Sequence, residues 1–153
     1  MRPIGVRAWL MRILAINCGS SSIKSALIDS ASGARLFDLR VTGIGGPAPV
    51  LRLDRVDRAL GDCRDIGAAT SELLREVRSR LKGDLAPAAV VHRIVHGGER
   101  FRGATLVDER MTEELQSLGR LAPLHNPPAL AALQRARESF PDVPHVAVFD
   151  TAF

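Results

Sequence analysis

Small polar residues cluster in one short segment near the start of the sequence. Asn17 precedes a Cys-Gly pair and three consecutive serines at 20–22, and Lys24 stands two residues further on. Side chains this small let the backbone approach an anion closely, and successive N–H groups and hydroxyls can then donate to phosphate oxygens. We therefore expect a phosphate-binding turn here, although a plain serine-rich hairpin would have the same composition.

A Walker A loop is the alternative interpretation of this segment, because residues 19–25 end in Lys-Ser. That motif requires a glycine directly before the lysine, where this chain has Ile23, and a helix after the loop. Residues 23–28 instead have the composition of a strand. The sequence therefore favours a turn between two strands over a Walker A loop.

A second segment, residues 92–101, holds two histidines and an arginine. His92 and His96 could share a metal ion on a helix, but on a strand they would lie about 13 Å apart. The β-branched residues around them favour a strand, so we do not expect a zinc site. Arg93 is then a charge within an apolar strand, which is costly unless it is paired. Two interpretations stay open for it, a structural ion pair and a fork for a carboxylate or phosphate.

Two further polar residues stand at predicted loops. His125 lies between prolines and directly precedes Asn126, which with Pro127 is typical of a helix start. Such a rigid loop near a positive helix end can carry function, or it can be a capping loop only. Asp150 follows an apolar strand, where α/β phosphoryl-transfer folds place metal-binding acids, although a helix cap is as common there.

The first part of the chain that must position these residues consists of short strands. Residues 13–16 form a continuous apolar run, which predicts a strand buried on both faces. Strands are also predicted at 23–28 and 34–41, followed by a loop at 43–49, and tight turns between the strands indicate an antiparallel meander. Residues 50–64 have no clear pattern.

The second part alternates predicted helices and strands. Its elements are a helix at 65–82, a strand at 88–95, a helix at 112–121, a helix at 127–140 and a strand at 146–149. Thr112 is expected to cap the second of these helices and Asn126 the third. Three antiparallel strands followed by helix–strand units predict a mixed α/β sheet.

The composition excludes several classes of protein. The chain has 153 residues, of which 46% are hydrophobic and 25% charged, as in a globular domain. Its net charge is +4, but the basic residues are scattered among acidic ones, and one tryptophan and no tyrosine leave little for base stacking. No apolar run has the roughly eighteen residues of a membrane helix, and no segment is typical of a signal peptide. With two cysteines, this pattern predicts a cytoplasmic location, with neither nucleic acid nor membrane as a partner.

Four segments, taken together and in order, resemble the signatures of the acetate kinase family. They are residues 17–24, 92–99, 121–127 and 148–153. The resemblance covers residues 11–153, which correspond to the family's N-terminal domain, and leaves residues 1–10 as an N-terminal extension. It implies a ribonuclease-H-like domain of the actin, sugar kinase and Hsp70 superfamily, an α/β fold with a mixed sheet and flanking helices.

The activity that this resemblance implies is reversible transfer of the γ-phosphoryl group of ATP to acetate, which gives acetyl phosphate and ADP. It implies Mg²⁺ as the cofactor, and a homodimer for the full-length family. The adenosine pocket, a second active-site arginine and a metal-binding glutamate belong to the family's C-terminal half, which this sequence lacks, so we expect the chain alone to be inactive. Alternatives are a propionate kinase of the same family and a non-catalytic remnant that binds phosphate.

The resemblance also assigns roles to residues of the serine-rich turn. Asn17 would help to hold Mg²⁺ and phosphate. Ser20, Ser22 and Lys24 would surround the phosphate groups of ATP.

Further roles that the resemblance implies fall in the second half of the chain. Arg93 would bind the acetate carboxylate or its phosphorylated product, and Val95 and Leu124 would shape a small apolar pocket for the methyl group. His125 would donate to the transferring phosphoryl group. Asp150 would position the metal or the attacking carboxylate.

Overall fold

A computed structural model describes residues 11–61, 63–82, 85–119 and 126–152. The predicted extension at 1–10 lies outside these residues, as do Leu124 and His125. The described strands are β1 (Arg12–Cys18), β2 (Ser22–Asp29), β3 (Arg35–Thr42), β4 (Val50–Leu53), β5 (Val56–Ala59), β6 (Ala89–Ile94), β7 (Thr105–Leu106) and β8 (His145–Phe149), and the described helices are α1 (Ile66–Arg80), α2 (Glu109–Leu118) and α3 (Asn126–Ser139).

These strands form one mixed sheet in the order β5-β4-β3-β2-β1-β6-β8-β7. The predicted meander of β1, β2 and β3 is confirmed, and their neighbours pair antiparallel. β6 lies parallel to both β1 and β8, so the carboxyl ends of these three strands meet at one edge of the sheet. The two-residue strand β7 pairs antiparallel with β8 and was not predicted.

The segment without a clear sequence pattern forms the hairpin of β4 and β5. Its tight turn includes Asp54 at a φ of 53°, a conformation that aspartate tolerates better than most residues. All four side chains of β5 are exposed, because β5 is an edge strand. The alternation of buried and exposed residues that identifies a strand is therefore missing from its sequence.

The helices α1 and α2 begin at aspartate caps. The Asp65 carboxylate accepts the N–H of Ala68 at 2.8 Å and caps α1, whose start agrees with the prediction. α2 begins earlier than predicted, because Asp108 caps it by accepting the N–H of Met111 at 2.7 Å. Thr112 is therefore not the cap, and its hydroxyl donates to the backbone carbonyl of Asp108 instead.

The core lies between the three helices and one face of the sheet. Leu14 and Ile16 of β1 are buried there and pack with residues of α1 and α3, such as Leu73 and Ala132. A second cluster joins α2 and α3 to the ends of β6 and β8. Among the described helices, none is long and apolar enough to cross a membrane.

The other face of the sheet, here called the open face, is not covered by any helix of the described chain. Ala15 and Asn17, which alternate with the buried residues of β1, are only half-buried. The prediction that the first strand is buried on both faces is therefore wrong. The open face forms a depression of about 270 Å³ that extends across β3, β2, β1, β6 and β8.

Candidate active site

The arginine of β6 connects the carboxyl ends of three parallel strands. Arg93 donates from Nε and Nη2 to the two carboxylate oxygens of Asp150, at 2.8 and 2.7 Å. It also donates from Nη1 to Oδ1 of Asn17 at 3.3 Å. The structure thus brings together three residues that the sequence analysis selected from separate segments.

The pairing fixes the orientation of the guanidinium without burying it. Hydrogen bonding to Asp150 raises the pKa of Arg93, so the side chain stays positively charged. Because 50% of the Arg93 side chain and 38% of the Asp150 side chain are exposed, water screens the pair, and such pairs contribute little to stability. A guanidinium has five N–H donors, and these three bonds leave two of them for another acceptor.

The position of Arg93 changes the expected cost of its charge. The sequence analysis placed this charge within an apolar strand, whereas the side chain lies on the open face. The structural ion pair, which was the first interpretation of Arg93, is present. The second interpretation, a fork for a carboxylate or phosphate, stays open because two N–H donors remain.

The serine-rich turn follows β1 at the same edge of the sheet. The N–H of Gly19 donates to the carbonyl of Ser22 at 2.8 Å, which closes the hairpin, so this N–H is not available to an anion. The N–H groups of Ser20 and Ser21 have no acceptor among the described residues. Lys24 lies opposite Asn17 in the antiparallel pair of β1 and β2. The strand at Ser22–Asp29 confirms that this is not a Walker A loop.

A fully buried amide joins the start of α3 to the loop after β6. Oδ1 of Asn126 accepts the backbone N–H of His96 at 3.2 Å, and its Nδ2 donates to the His96 carbonyl at 2.9 Å. Asn126 is the first residue of α3, and it was predicted to cap this helix. Its side chain instead bonds to the loop after β6. This role could not be predicted from the sequence, in which Asn126 is only a polar residue next to Pro127.

The glycine after His96 lies where no side chain fits. A Cβ on Gly97 would stand 2.6 Å from the carbonyl of Phe101 and 2.8 Å from the ring of Phe149. The N–H of Gly97 donates to Oγ1 of Thr151 at 3.1 Å. The loop after β6 is thereby bonded to Thr151, the residue that follows Asp150. This bond holds together the carboxyl ends of β6 and β8, which carry the ion pair.

The remaining predicted residues differ in what the structure shows. Val95 directly follows β6 and is half-buried. Leu124 and His125, the second pocket residue and the phosphoryl donor, lie outside the described residues, so their roles stay predictions.

The partner of His92 is His145, whereas a shared metal ion would have required His96. His92 is buried on the helix side of the sheet, and its Nε2 lies 3.0 Å from Nδ1 of His145. His145 Nε2 lies 3.1 Å from the carbonyl of Phe140, which can only accept, so we assign the proton of His145 to Nε2. Its Nδ1 then accepts the N–H of His92 Nε2. Burial lowers the pKa of His92 to about 3 and also lowers that of His145, so both rings are neutral near pH 7.

Comparison with known proteins identifies the family to which this site belongs. A sequence model of the acetokinase family matches residues 12–153. This chain belongs to the acetokinase family. It is 44% identical over 146 residues to an acetate kinase of Pseudomonas aeruginosa and 41% identical over 150 residues to one of Deinococcus radiodurans. These matches cover 92% and 94% of this chain but only 36% of each relative, so the chain spans about a third of their length.

Solved structures of acetokinase-family members share the fold. A propionate kinase from Francisella tularensis superimposes with a TM-score of 0.80 at 32% identity, and it is matched over 93% of this chain and 37% of its own. The acetate kinase of Porphyromonas gingivalis gives 0.78 at 31% identity, over 94% of this chain and 38% of its own. The predicted α/β fold of the actin, sugar kinase and Hsp70 superfamily is thereby confirmed.

Proposed function

We propose that this chain supplies the carboxylate- and phosphate-binding part of an acetate kinase, which transfers the γ-phosphoryl group of ATP reversibly to acetate. The observation that carries the proposal is the guanidinium of Arg93, which Asp150 and Asn17 hold at the sheet edge with two donors to spare. Two relatives that are more than 40% identical to this chain are named acetate kinases, which supports acetate as the acceptor.

The chemistry requires two anions to be held in line. Acetate is already ionised at neutral pH, so no strong base is needed to generate the nucleophile. The free donors of Arg93 would bind its carboxylate, while Lys24 and the hydroxyls of Ser20 and Ser22 would bind phosphate oxygens. Positioning and neutralisation of charge then provide most of the catalysis, as is usual in phosphoryl transfer.

A magnesium ion fits the donor types at this edge. Asn17 offers an amide oxygen and Asp150 a carboxylate, which are the hard oxygen ligands that Mg²⁺ prefers. No group of three or more His, Cys, Asp or Glu in the described part of the chain could hold a metal ion. Asn17 would help to hold Mg²⁺ together with phosphate, and Asp150 would position the ion. When bound, the ion supplies neutralisation of phosphate charge.

The assignment of the other side chains follows the family resemblance. His125 would donate to the transferring phosphoryl group and stabilise the charge that grows on it. Its sequence neighbour Asn126 is bonded to the backbone of His96, two residues after the end of β6, the strand that carries Arg93. Val95 and Leu124 would limit the pocket to a methyl group.

A chimera that joins residues 11–153 to the C-terminal remainder of the Pseudomonas aeruginosa acetate kinase tests this proposal. We expect it to form acetyl phosphate from acetate and ATP, measured as the hydroxamate. R93Q should lower kcat/KM for acetate by about a hundredfold, the scale of a lost charge-stabilising donor. R52Q is the matched control, because Arg52 lies on the same face but pairs with Asp57, and it should change kcat/KM less than twofold.

Three results would count against the proposal. The first is a chimera that has the circular dichroism of a folded protein but phosphorylates no carboxylate. The second is R93Q activity equal to that of R52Q. The third is turnover by the 153-residue chain alone above a His125→Ala control, because the activity is expected to need the remaining two-thirds of the relatives' length. A higher kcat/KM for propionate than for acetate would favour the propionate kinase alternative, which the Francisella tularensis structure supports.

A further inference from the structure

A row of five polar side chains, four of them cationic, crosses the open face beside the candidate active site. Strand register places Arg93 opposite Asn17, Asn17 opposite Lys24, Lys24 opposite Arg40, and Arg40 opposite Arg52. Residues that lie opposite one another on neighbouring strands share a face of the sheet. All five side chains therefore project from the open face.

The two ends of the row are neutralised, and its middle is not. At one end, Asp150 holds the active-site guanidinium, and at the other Arg52 donates to Asp57 at 2.6 and 2.7 Å. Lys24 and Arg40 are both exposed, and the side chain of neither has a hydrogen-bond or ion-pair partner among the described residues. The row therefore has two unpaired positive charges side by side.

This arrangement is unfavourable in the absence of a ligand. Directly opposed side chains of an antiparallel pair have Cβ atoms about 5 Å apart, and like charges at that distance destabilise the sheet. Asp38 is on the same face one row away, opposite Ala26, but it forms no ion pair with either cation. Unpaired like charges on neighbouring strands are unfavourable for folding, and such unfavourable arrangements are typical of functional sites. Two positive charges favour a site that binds an anion.

We infer that Arg40, together with Lys24, forms a subsite for a phosphoryl group of a polyphosphate ligand that extends from Asn17 across the open face. The inference rests on the proposed function and adds Arg40, a residue outside the matched motifs, to the phosphate-binding set. Three strand spacings, about 14 Å, separate Arg93 from Arg40, which is too far for one orthophosphate to contact both ends. A chain of two or three phosphoryl groups is longer and can contact more than one side chain of the row. The depression on this face is lined by Asn17, Lys24 and Arg40 alike.

Calorimetric titration of the 153-residue chain with inorganic tripolyphosphate at low salt tests the inference. R40Q should weaken tripolyphosphate binding at least fivefold, because it removes a charge-assisted donor. R35Q is the matched control: Arg35 is an exposed arginine of the same strand without a partner among the described residues, and it lines the same depression about 17 Å from Arg40, away from the row. R35Q should change the affinity less than twofold.

The other arms separate this inference from the proposed function. If K24Q weakens tripolyphosphate binding and R40Q does not, the Arg40 subsite is wrong and the proposed function is untouched. Equal weakening by R40Q and R35Q, or no tripolyphosphate binding at all, also overturns it, while activity of the chimera would still support the kinase. Titration with ATP in place of tripolyphosphate distinguishes a nucleotide from an inorganic ligand. If the ligand is a nucleotide, R40Q should weaken ATP binding as much as it weakens tripolyphosphate binding.

Discussion

The guanidinium of Arg93 is held by two different kinds of acceptor, a carboxylate on one side and an amide oxygen on the other. The bidentate bond to Asp150 fixes the plane of the group, and the bond to Asn17 fixes its tilt. Because the group is half-exposed, the ion pair adds little stability and leaves donors accessible to a ligand. The pair therefore fixes the orientation of a guanidinium that stays accessible.

Asp150→Asn tests whether this ion pair has a structural or a binding role. An amide cannot accept both N–H groups of the fork, so the guanidinium loses its fixed plane. We expect the free energy of urea unfolding of the chain to fall by less than about 1 kcal/mol, as for exposed pairs. In the chimera, kcat/KM for acetate should fall at least tenfold. A loss of several kcal/mol in stability would show instead that the pair is mainly structural.

Gly97→Ala should destabilise the chain, because its new Cβ would collide with the Phe101 carbonyl and the Phe149 ring. Overpacking of this kind costs about 1–3 kcal/mol, measured as the free energy of urea unfolding. Gly103→Ala is the control, since a Cβ there meets nothing within 4 Å, and it should change stability by less than about 0.5 kcal/mol. Equal stability of the two variants would contradict the packing described around Gly97.

The elements that the sequence predicted are those with buried alternating or periodic apolar residues. β1, β2, β3 and α1 were predicted nearly at their observed bounds, because each has a core-facing set of residues such as Leu73 and Val77. β5 was missed because all its side chains are exposed, and the start of α2 was misplaced because Asp108 and Thr112 are both good caps. Burial on the second face of β1 was overestimated, since an apolar run does not reveal which faces are covered.

The candidate site was predictable in its residues and not in its connections. Asn17 and Asp150 could be selected because each follows an apolar strand, and Arg93 because it is a charge within one, although Asn17 and Arg93 are 76 residues apart. The bonds of Asn126 and Thr151 to the loop after β6 could not be predicted, because they depend on how two loops meet in space.

The histidine pair that joins β6 to β8 predicts sensitivity to acid. The pKa of His92 is lowered to about 3 by burial and by His145, whereas an unfolded histidine titrates near 6.5. Between these values the unfolded chain binds more protons, so the free energy of unfolding falls as the pH drops below 6.5. The loss should reach about 1.4 kcal/mol per pH unit.

Urea unfolding at pH 7.5 and pH 5.0 measures this dependence. His92→Gln removes the titrating ring, so stability should fall by about 2 kcal/mol less between the two pH values than in the unchanged chain. Identical pH dependence in the two proteins would show that the pair does not titrate as described.

At the scale of the whole molecule, the open face leaves one side of a partly parallel sheet without a covering layer. Parallel strands are usually covered on both faces, and here Ala15, Ala26, Val91 and Val148 line a depression that no described helix covers. Apolar surface of this kind favours association. We expect the chain to elute from a sizing column at a concentration-dependent volume and to bind an apolar dye.

Paired substitution of Val91 and Val148 by threonine should reduce both effects, since it makes the same surface more polar with little change in shape. A dye-negative monomer at all concentrations, for the unchanged chain, would contradict the description of this face.

We propose that Arg93, held by Asp150 and Asn17, binds the carboxylate or phosphoryl end of the substrate. Titration of acetyl phosphate into the 153-residue chain, followed by calorimetry, measures this directly for the unchanged protein, R93Q and the matched control R52Q. We predict about tenfold weaker binding for R93Q and less than a twofold change for R52Q, as expected for loss of one charge-assisted contact. Equal affinities of R93Q and R52Q for acetyl phosphate would contradict the claim.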